Sequence, residues 1–403
     1  MSNNEITRQR IIGLVGIGFL VMFLSSSLKG VYQIYFTDIV SSFDVARSEF
    51  AISGSVFMLM IGVMSPIVGA MSDRLGPLRT VLTGSVVAGL TFTGISLFST
   101  NLWVFIVGYG LFAAFALTAM TFVPMGVLVD RLFASNQKGL AYAIITNGTA
   151  IGFIVLSPFW VWLAPQMSWQ SVFLYVGLAF LVPISAVLWA VSRTPVPASP
   201  SADSTAPGTW KGVLSDLRYY ILALSFMSCG ATMGFIDVHL VPYWQGHDVP
   251  RVAMGASLSL LGILELISGL LAGVLATRLS KNMLLGTFYL IRALSMAMLL
   301  SSDSTVMTYI FAALFGISYL GAVILTSAFC LDFYGPQIKG RAFGGIFFVH
   351  QIGAFLTVQG GAISYDMTQS YGTTVMALIT LTGLAGMLSI GLLPSRSARP
   401  ALP

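Results

Sequence analysis

Apolar stretches of about 20 residues recur along this chain, separated by short polar breaks, and few folds can accommodate that pattern. Twelve are found, beginning near Ile11, Phe50, Thr80, Leu102, Gly139, Ser171, Tyr219, Ala253, Met283, Val306, Ala342 and Thr374. In lipid no water is present to bond the backbone, so a crossing segment must satisfy its own N–H and C=O groups, as a helix does. The expected fold is an all-α membrane protein of twelve transmembrane helices. Only 8% of the 403 residues are charged and 56% are hydrophobic, where a soluble domain carries about a quarter charged residues. A water-soluble enzyme and a disordered chain are both excluded. The first apolar run follows Arg8 and Arg10 and has no small-x-small cleavage site before Lys29. It reads as a retained first span rather than a signal peptide. Cys229 and Cys330 lie inside apolar runs and read as core packing.

The formal net charge of +5 would suggest nucleic acid in a soluble protein, but here the basic residues lie in the short loops. With the N-terminus inside, fifteen of the nineteen Lys and Arg residues fall on the cytoplasmic side. This is the bias that orients polytopic proteins. It supports twelve spans with both termini cytoplasmic, and no nucleic-acid partner is expected.

A Pro- and Ser-rich interval, TPVPASPSADSTAPG, separates six spans from six. The expected organisation is an N-terminal six-helix bundle at 1–192, a cytoplasmic linker at 193–218 and a C-terminal six-helix bundle at 219–403. The halves echo each other. GAMSDRLG at Gly69 to Gly76 returns as GVLATRLS at Gly273 to Ser280, an offset of 204. Lys138-Gly139-Leu140-Ala141 through Gly152 returns as Lys339-Gly340-Arg341-Ala342 through Gly353, an offset of 201. Same-orientation repeats of six spans imply two bundles with a pathway between them and alternating access by rocking.

GAMSDRLGPLR, Gly69 to Arg79, resembles the loop signature of the major facilitator superfamily, G-x-x-x-D-R-x-G-x-x-R, at its expected place between spans 2 and 3. Shorter stretches are similar to its bacterial monocarboxylate and oxalate/formate porter branch: His239-Leu-Val-Pro242-Tyr243, Tyr289-Leu-Ile-Arg292-Ala and the Gly-rich start of span 5. The resemblance implies a major facilitator fold and a conformational latch built from Gly69, Asp73, Arg74, Gly76 and Arg79. Asp73 would face the N-terminus of span 11, near Arg341. Thr277 stands where the second copy would carry the acid. A plain helix cap is the simpler reading of Asp73.

Charge inside the hydrocarbon costs several kcal/mol and marks a pathway or a pair. Lys29 and Asp237 fall at repeat-related positions of spans 1 and 7, so Lys29 is the expected attractor of an anion and Asp237 its counter-ion or a proton-coupling acid. A gate salt bridge is the alternative. Monocarboxylate porters also carry a first-span lysine. Glu265 in span 8 and Arg292 in span 9 sit at similar depth and are expected to pair, or else to couple protons. Span 8 offers no cation for a carboxylate. His239, His350, Gln351, Asn147 and Tyr32 are further substrate-binding candidates, each weighed against an ordinary structural role. Tyr32, Tyr35, Phe36, Tyr243, Trp244 and Trp160 gather near span ends and are expected, for the most part, to anchor at the membrane interface.

No metalloprotease, serine-hydrolase or phosphate-loop motif is present, so the chain is not expected to be an enzyme, and no metal or cofactor is implied. The expected function is proton-coupled transport of a small organic monocarboxylate across the cell inner membrane by a monomer embedded in membrane lipids. The alternative is proton-driven export of a larger amphipathic compound such as a drug or siderophore.

Overall fold

The computed structural model describes residues 3–133, 137–194, 210–300 and 304–394. Much of the linker stretch singled out above, like Arg396 and Arg399 beyond the last span, lies outside these residues. Among the described residues twelve helices are long and apolar enough to cross a membrane. They are α1 (Gln9–Phe43), α2 (Arg47–Leu75), α3 (Pro77–Leu97), α4 (Leu102–Leu132), α5 (Lys138–Leu163), α6 (Trp169–Ser192), α7 (Leu217–Gly246), α8 (Arg251–Leu275), α9 (Lys281–Leu299), α10 (Thr305–Gly335), α11 (Ile338–Thr368) and α12 (Gly372–Leu392).

The punctuation between them is chemical. Asp44 ends α1 in the left-handed region at φ 52°. Gly76, at φ 89°, turns the chain, and Pro77 opens α3 where its missing N–H costs nothing. Gly335, at φ 75°, breaks an otherwise continuous helical run between α10 and α11. Asn101, Ser168, Asp216 and Ser304 cap helix starts with side-chain oxygens, each satisfying an N–H that has no intrahelical partner. Among the described residues three helices contain a π turn: α4 at Gly108–Ala113, α6 at Phe180–Ile184 and α7 at Phe235–His239.

The chain divides into two compact units, Met1–Val45 with Ile52–Asp203, and Ala46–Ala51 with Ser204–Pro403. Within the first, α5 packs on α1 through glycines. A Cβ on Gly148 would meet Met22 Cβ at 2.9 Å, and one on Gly152 would collide with the Phe23 carbonyl. Small residues of this kind let membrane helices approach backbone to backbone. Gly89 and Gly177 bring α3 and α6 together in the same manner, and Ser85 Oγ donates to the Phe180 carbonyl at 2.9 Å. Tyr109 stacks between Tyr32 and Phe57 with centroids 4.2 and 4.6 Å away.

The second unit repeats the scheme. Gly353 on α11 meets the main chain of Met227 on α7, Gly230 meets that of His350, and Gly286 on α9 meets the Gly386 carbonyl of α12. This unit also holds the first turn of α2. Asp366 accepts from the Arg47 and Ser48 amides at 3.1 and 2.8 Å. The Arg47 guanidinium lies 3.6 Å over the Tyr365 ring and donates to the Tyr371 hydroxyl at 3.0 Å, while Gln359 donates to the Ser48 carbonyl at 2.9 Å.

One expectation is corrected. Tyr32, Tyr35, Phe36, Tyr243, Trp244 and Trp160 are all buried, none more than 8% exposed. They are packing residues: Tyr35 donates to the Met167 carbonyl and Tyr243 to that of Leu299. Trp103, Trp162 and Trp189, each more than half exposed, are the tryptophans placed to anchor at an interface. Both cysteines are free and buried, as expected.

Candidate functional site

In the first unit, α1 carries Lys29 between buried Leu28 and Gly30, with the lysine itself half-buried. Gly30 leaves room for the Trp160 indole of α5, which a Cβ would meet at 3.1 Å. The Lys29 turn is therefore fixed by close α1–α5 packing. Tyr32, one turn further, donates or accepts at 3.1 Å with Ser53 Oγ and is 1% exposed. Its place is in the aromatic stack with Tyr109, and the structure gives it a packing role. Asn147 is exposed on α5, beside the glycine that contacts α1.

In the second unit, Asp237 is half-buried at the centre of the π turn of α7. A π turn widens the helix by one residue and commonly marks a functional site. His239, two residues on, is fully buried, with Nε2 2.9 Å from the Val358 carbonyl of α11 and its ring 5.0 Å from Tyr371. Gly361 admits that ring, since a Cβ there would lie 2.9 Å from it. His350 is held by its neighbours: Nδ1 is 2.8 Å from Gln351 Oε1, Nε2 is 3.2 Å from Met233 Sδ, and the ring stacks on Phe347. Gln351 is 4% exposed and its amide oxygen is used on His350. These contacts give both histidines structural partners.

Glu265 is half-buried on α8. The expected pairing with Arg292 is not what the structure places there. Arg292 Nη1 donates to Cys229 Sγ at 2.8 Å, Nε to Ser318 Oγ at 3.4 Å, and Nη2 to the carbonyls of Ser318 and Tyr319. A guanidinium satisfied by main-chain oxygens relieves much of its burial cost without a carboxylate.

At the loop signature, Arg131 from the end of α4 donates to the Ser72 and Asp73 carbonyls at 3.4 and 3.2 Å. It thereby ties α4 to the end of α2. The Asp73, Arg74 and Arg79 side chains are exposed, as is Arg341 on α11, while Gly69 and Gly76 are half-buried. The turn itself is built by Gly76 and Pro77, so the Asp73 carboxylate is not needed to make it.

The residues missed in the sequence are Arg131 and the cluster of Arg47, Asp366, Tyr365 and Tyr371. Arg131 repeats the Asp-Arg pair of the signature at the end of α4, which was a usable signal. The cluster joins residues about three hundred positions apart with no spacing rule to reveal it.

A family model described as Major Facilitator Superfamily matches residues 16–358. With twelve helices in two six-span halves and the signature turn in place, the chain belongs to the major facilitator superfamily and is a transporter of that family. An uncharacterized MFS-type transporter of Bacillus subtilis, YcxA, is 29% identical over 376 residues, 91% of each chain. Monocarboxylate transporter 13 of Rattus norvegicus is 25% identical over 270 residues, 64% of this chain and 61% of its own length. Monocarboxylate transporter 4 of the same species is 23% identical over 88% of this chain and 76% of its own. Among solved structures, the nucleoside transporter NupG superposes with a TM-score of 0.74 at 15% identity, covering 94% of this chain and all of its own. An inward-facing bacterial homologue of the lysosomal transporter Spinster gives 0.68 at 14% identity, covering 94% of this chain and 93% of its own. These two likenesses concern the fold alone.

Proposed function

We propose that this transporter carries a small organic monocarboxylate together with a proton across the cytoplasmic membrane, by alternating access, as a monomer with both termini in the cytoplasm. The observation that carries the reading is Lys29, a half-buried cation on α1, in a chain similar to proteins named monocarboxylate transporters. A half-buried cation in a membrane span marks a pathway or a pair, and a lysine binds a carboxylate as a point charge. Asp237 and Glu265, both half-buried in the second unit, are the proposed proton-carrying groups. The proposed orientation follows the excess of Lys and Arg in the segments assigned to the inside.

The test is counterflow in proteoliposomes with a panel of short monocarboxylates, dicarboxylates and amphipathic amines. Exchange of a monocarboxylate, with uptake accelerated by an inward proton gradient, is expected. Exchange of the amines alone would establish the amphipathic exporter in its place.

A further inference from the structure

His350 of α11 lies along a stripe of α7 made by Phe226, Gly230 and Met233, at i, i+4 and i+7. The Phe226 ring centroid is 4.5 Å from that of the imidazole, and Met233 Sδ is 3.2 Å from its Nε2. A Cβ on Gly230 would run into the His350 carbonyl, and one on Gly353 into that of Met227. The two helices therefore touch main chain to main chain in two places beside this ring. On α11 itself, Phe347 stacks on the imidazole at 5.5 Å with the planes 12° apart. His350 is 2% exposed, with an aromatic ring from each helix next to it.

The two ring nitrogens meet different chemistry. A thioether sulfur has no hydrogen to give, so the contact with Met233 puts a proton on Nε2. The neutral ring then keeps its lone pair on Nδ1, because the bond at one nitrogen sets the state of the other. Nδ1 is 2.8 Å from Gln351 Oε1, and an amide oxygen only accepts. With that oxygen forward, the bond forms when Nδ1 also carries hydrogen and the ring is an imidazolium. With the amide turned half a revolution, its NH2 donates to Nδ1 and the neutral ring is satisfied. Gln351 thus serves both states, whereas an ionised carboxylate would only accept and a lysine only donate. The faces of Phe226 and Phe347 attract the cation when it forms. On α7 the titratable groups that flank the stripe are Cys229, whose sulfur accepts from Arg292, and Asp237, four residues beyond Met233. On α11 His350 is the one titratable residue between Arg341 and Tyr365.

We infer that His350 Nδ1 is a proton-binding site of this transporter, and that Gln351 is the positioning residue whose amide turns to match the state of the ring. In the step, a hydronium ion gives its proton to the Nδ1 lone pair. An N–H bond forms, one O–H bond breaks, a water molecule is released and the positive charge passes to the imidazole. Return of the proton to water reverses each change. Met233 keeps the Nε2 hydrogen in place throughout, so the proton is gained and lost at one nitrogen. His350 thereby becomes a proton carrier beside Asp237 and Glu265 rather than a ligand of the substrate.

This inference rests on the proton coupling proposed above, and two readouts keep their failures apart. The chain has 3 histidines, His239, His247 and His350, so nuclear magnetic resonance of the reconstituted protein, labelled with nitrogen-15 in histidine alone, resolves each ring. Loss of one set of signals in His350→Gln assigns this ring; should that variant not fold, Met233→Leu assigns it through the displaced Nε2 signal. Between about pH 5 and 8, the range in which imidazoles change charge, the parent's His350 passes from the doubly protonated pattern to a neutral ring with hydrogen on Nε2. In Gln351→Leu the Nδ1 proton of the charged ring loses its acceptor and its resonance moves upfield. A ring that stays neutral throughout, or that keeps its single hydrogen on Nδ1, overturns the site. An Nδ1 resonance indifferent to Gln351→Leu overturns the role of Gln351. The second readout compares uptake driven by an inward proton gradient with counterflow at equal pH, using the monocarboxylate that the parent exchanges best. In His350→Gln, accumulation falls at least about tenfold more than counterflow, since losing a proton-transfer group costs orders of magnitude in the step it serves. Equal losses overturn the part of His350 in coupling. A parent that exchanges substrate but ignores the gradient overturns the coupling itself, and the His350 spectrum then decides the proton site alone.

Discussion

Gly353 is pressed against the main chain of Met227 as Gly152 is pressed against that of Phe23. Met227 follows Phe23 by 204 residues and Gly353 follows Gly152 by 201, so the repeat seen in the sequence is repeated in the contact. A Cβ on Gly353 would also meet Met227 Cγ at 2.9 Å. Gly353→Leu and Gly152→Leu are therefore expected to cost about 1–3 kcal/mol or more by overpacking, and to lower the melting temperature and the monodisperse fraction in detergent. Gly344→Leu, with nothing within 4 Å of its Cβ position, is the control. A parental melting curve for Gly353→Leu would show that α7 and α11 are not so closely joined.

Lys29→Gln is expected to weaken apparent affinity for a monocarboxylate by about ten- to a hundredfold, the loss of a charged hydrogen bond, with the protein still folded. Lys29→Arg keeps the charge and should retain part of the affinity. Concentration-dependent counterflow measures both. Parental affinity in Lys29→Gln would remove this residue from substrate recognition.

Asp73→Asn should leave the melting temperature close to the parent's, because the carboxylate is exposed and the turn depends on Gly76 and Pro77. A latch role predicts reduced transport in the same variant. A helix-cap role predicts the reverse, lost stability with transport in proportion.

Asp366 is expected to protect the first turn of α2. Asp366→Ala removes the acceptor for the Arg47 and Ser48 amides, costing about 0.5–2 kcal/mol as caps do. Hydrogen exchange at those two amides should quicken, while exchange inside α3 stays unchanged. Unaltered exchange at Arg47 and Ser48 would mean the cap contributes nothing. Tyr371, in the same cluster, has its hydroxyl pushed up to about 12 by burial, against the opposing influence of Arg47, so it stays a neutral hydrogen-bonding group at physiological pH.

Asp216 provides a pH signature at the start of α7. Burial works to raise its pKa, but the Arg218 side-chain and amide hydrogen bonds, the Arg218 charge and the Tyr334 hydroxyl together hold it below the ordinary 3.8. A carboxyl depressed on folding adds stability that is complete above its unfolded pKa and is lost as pH falls through the folded one. Thermal stability below about pH 4 should therefore fall less steeply in Asp216→Asn than in the parent. Because its partner Arg218 is well exposed to solvent, which screens the pair, the difference will be small. Identical acid slopes would count against it.

The twelve spans, the duplication and the signature turn could be read in the sequence because each follows from a periodic or local rule: length against hydrocarbon thickness, repetition at a fixed offset, and Gly-Pro backbone chemistry. The aromatic residues could not be assigned so easily. In a membrane protein the lipid-facing and core-facing sides of a helix are both apolar, so no polar face reveals which way Tyr35 or Trp244 points. Arg292 resists assignment for a related reason. Depth along a span predicts a carboxylate at the same height, whereas its partners are a thiol, a hydroxyl and two carbonyl oxygens, the last of a kind every residue possesses and no sequence pattern distinguishes. Glycines 148, 152, 230 and 353 carried the better information, since only a missing side chain permits those approaches.

The π turn in α7 has one residue more than the surrounding helix can accommodate. Because a wide turn absorbs its extra residue locally, deleting one residue within Phe235–His239 would restore regular winding and leave Tyr243 near the Leu299 carbonyl. The same deletion in the regular stretch before it would turn everything beyond by about 100° and carry Tyr243 away. Loss of a single residue should thus be accepted inside the wide turn and refused elsewhere along this helix.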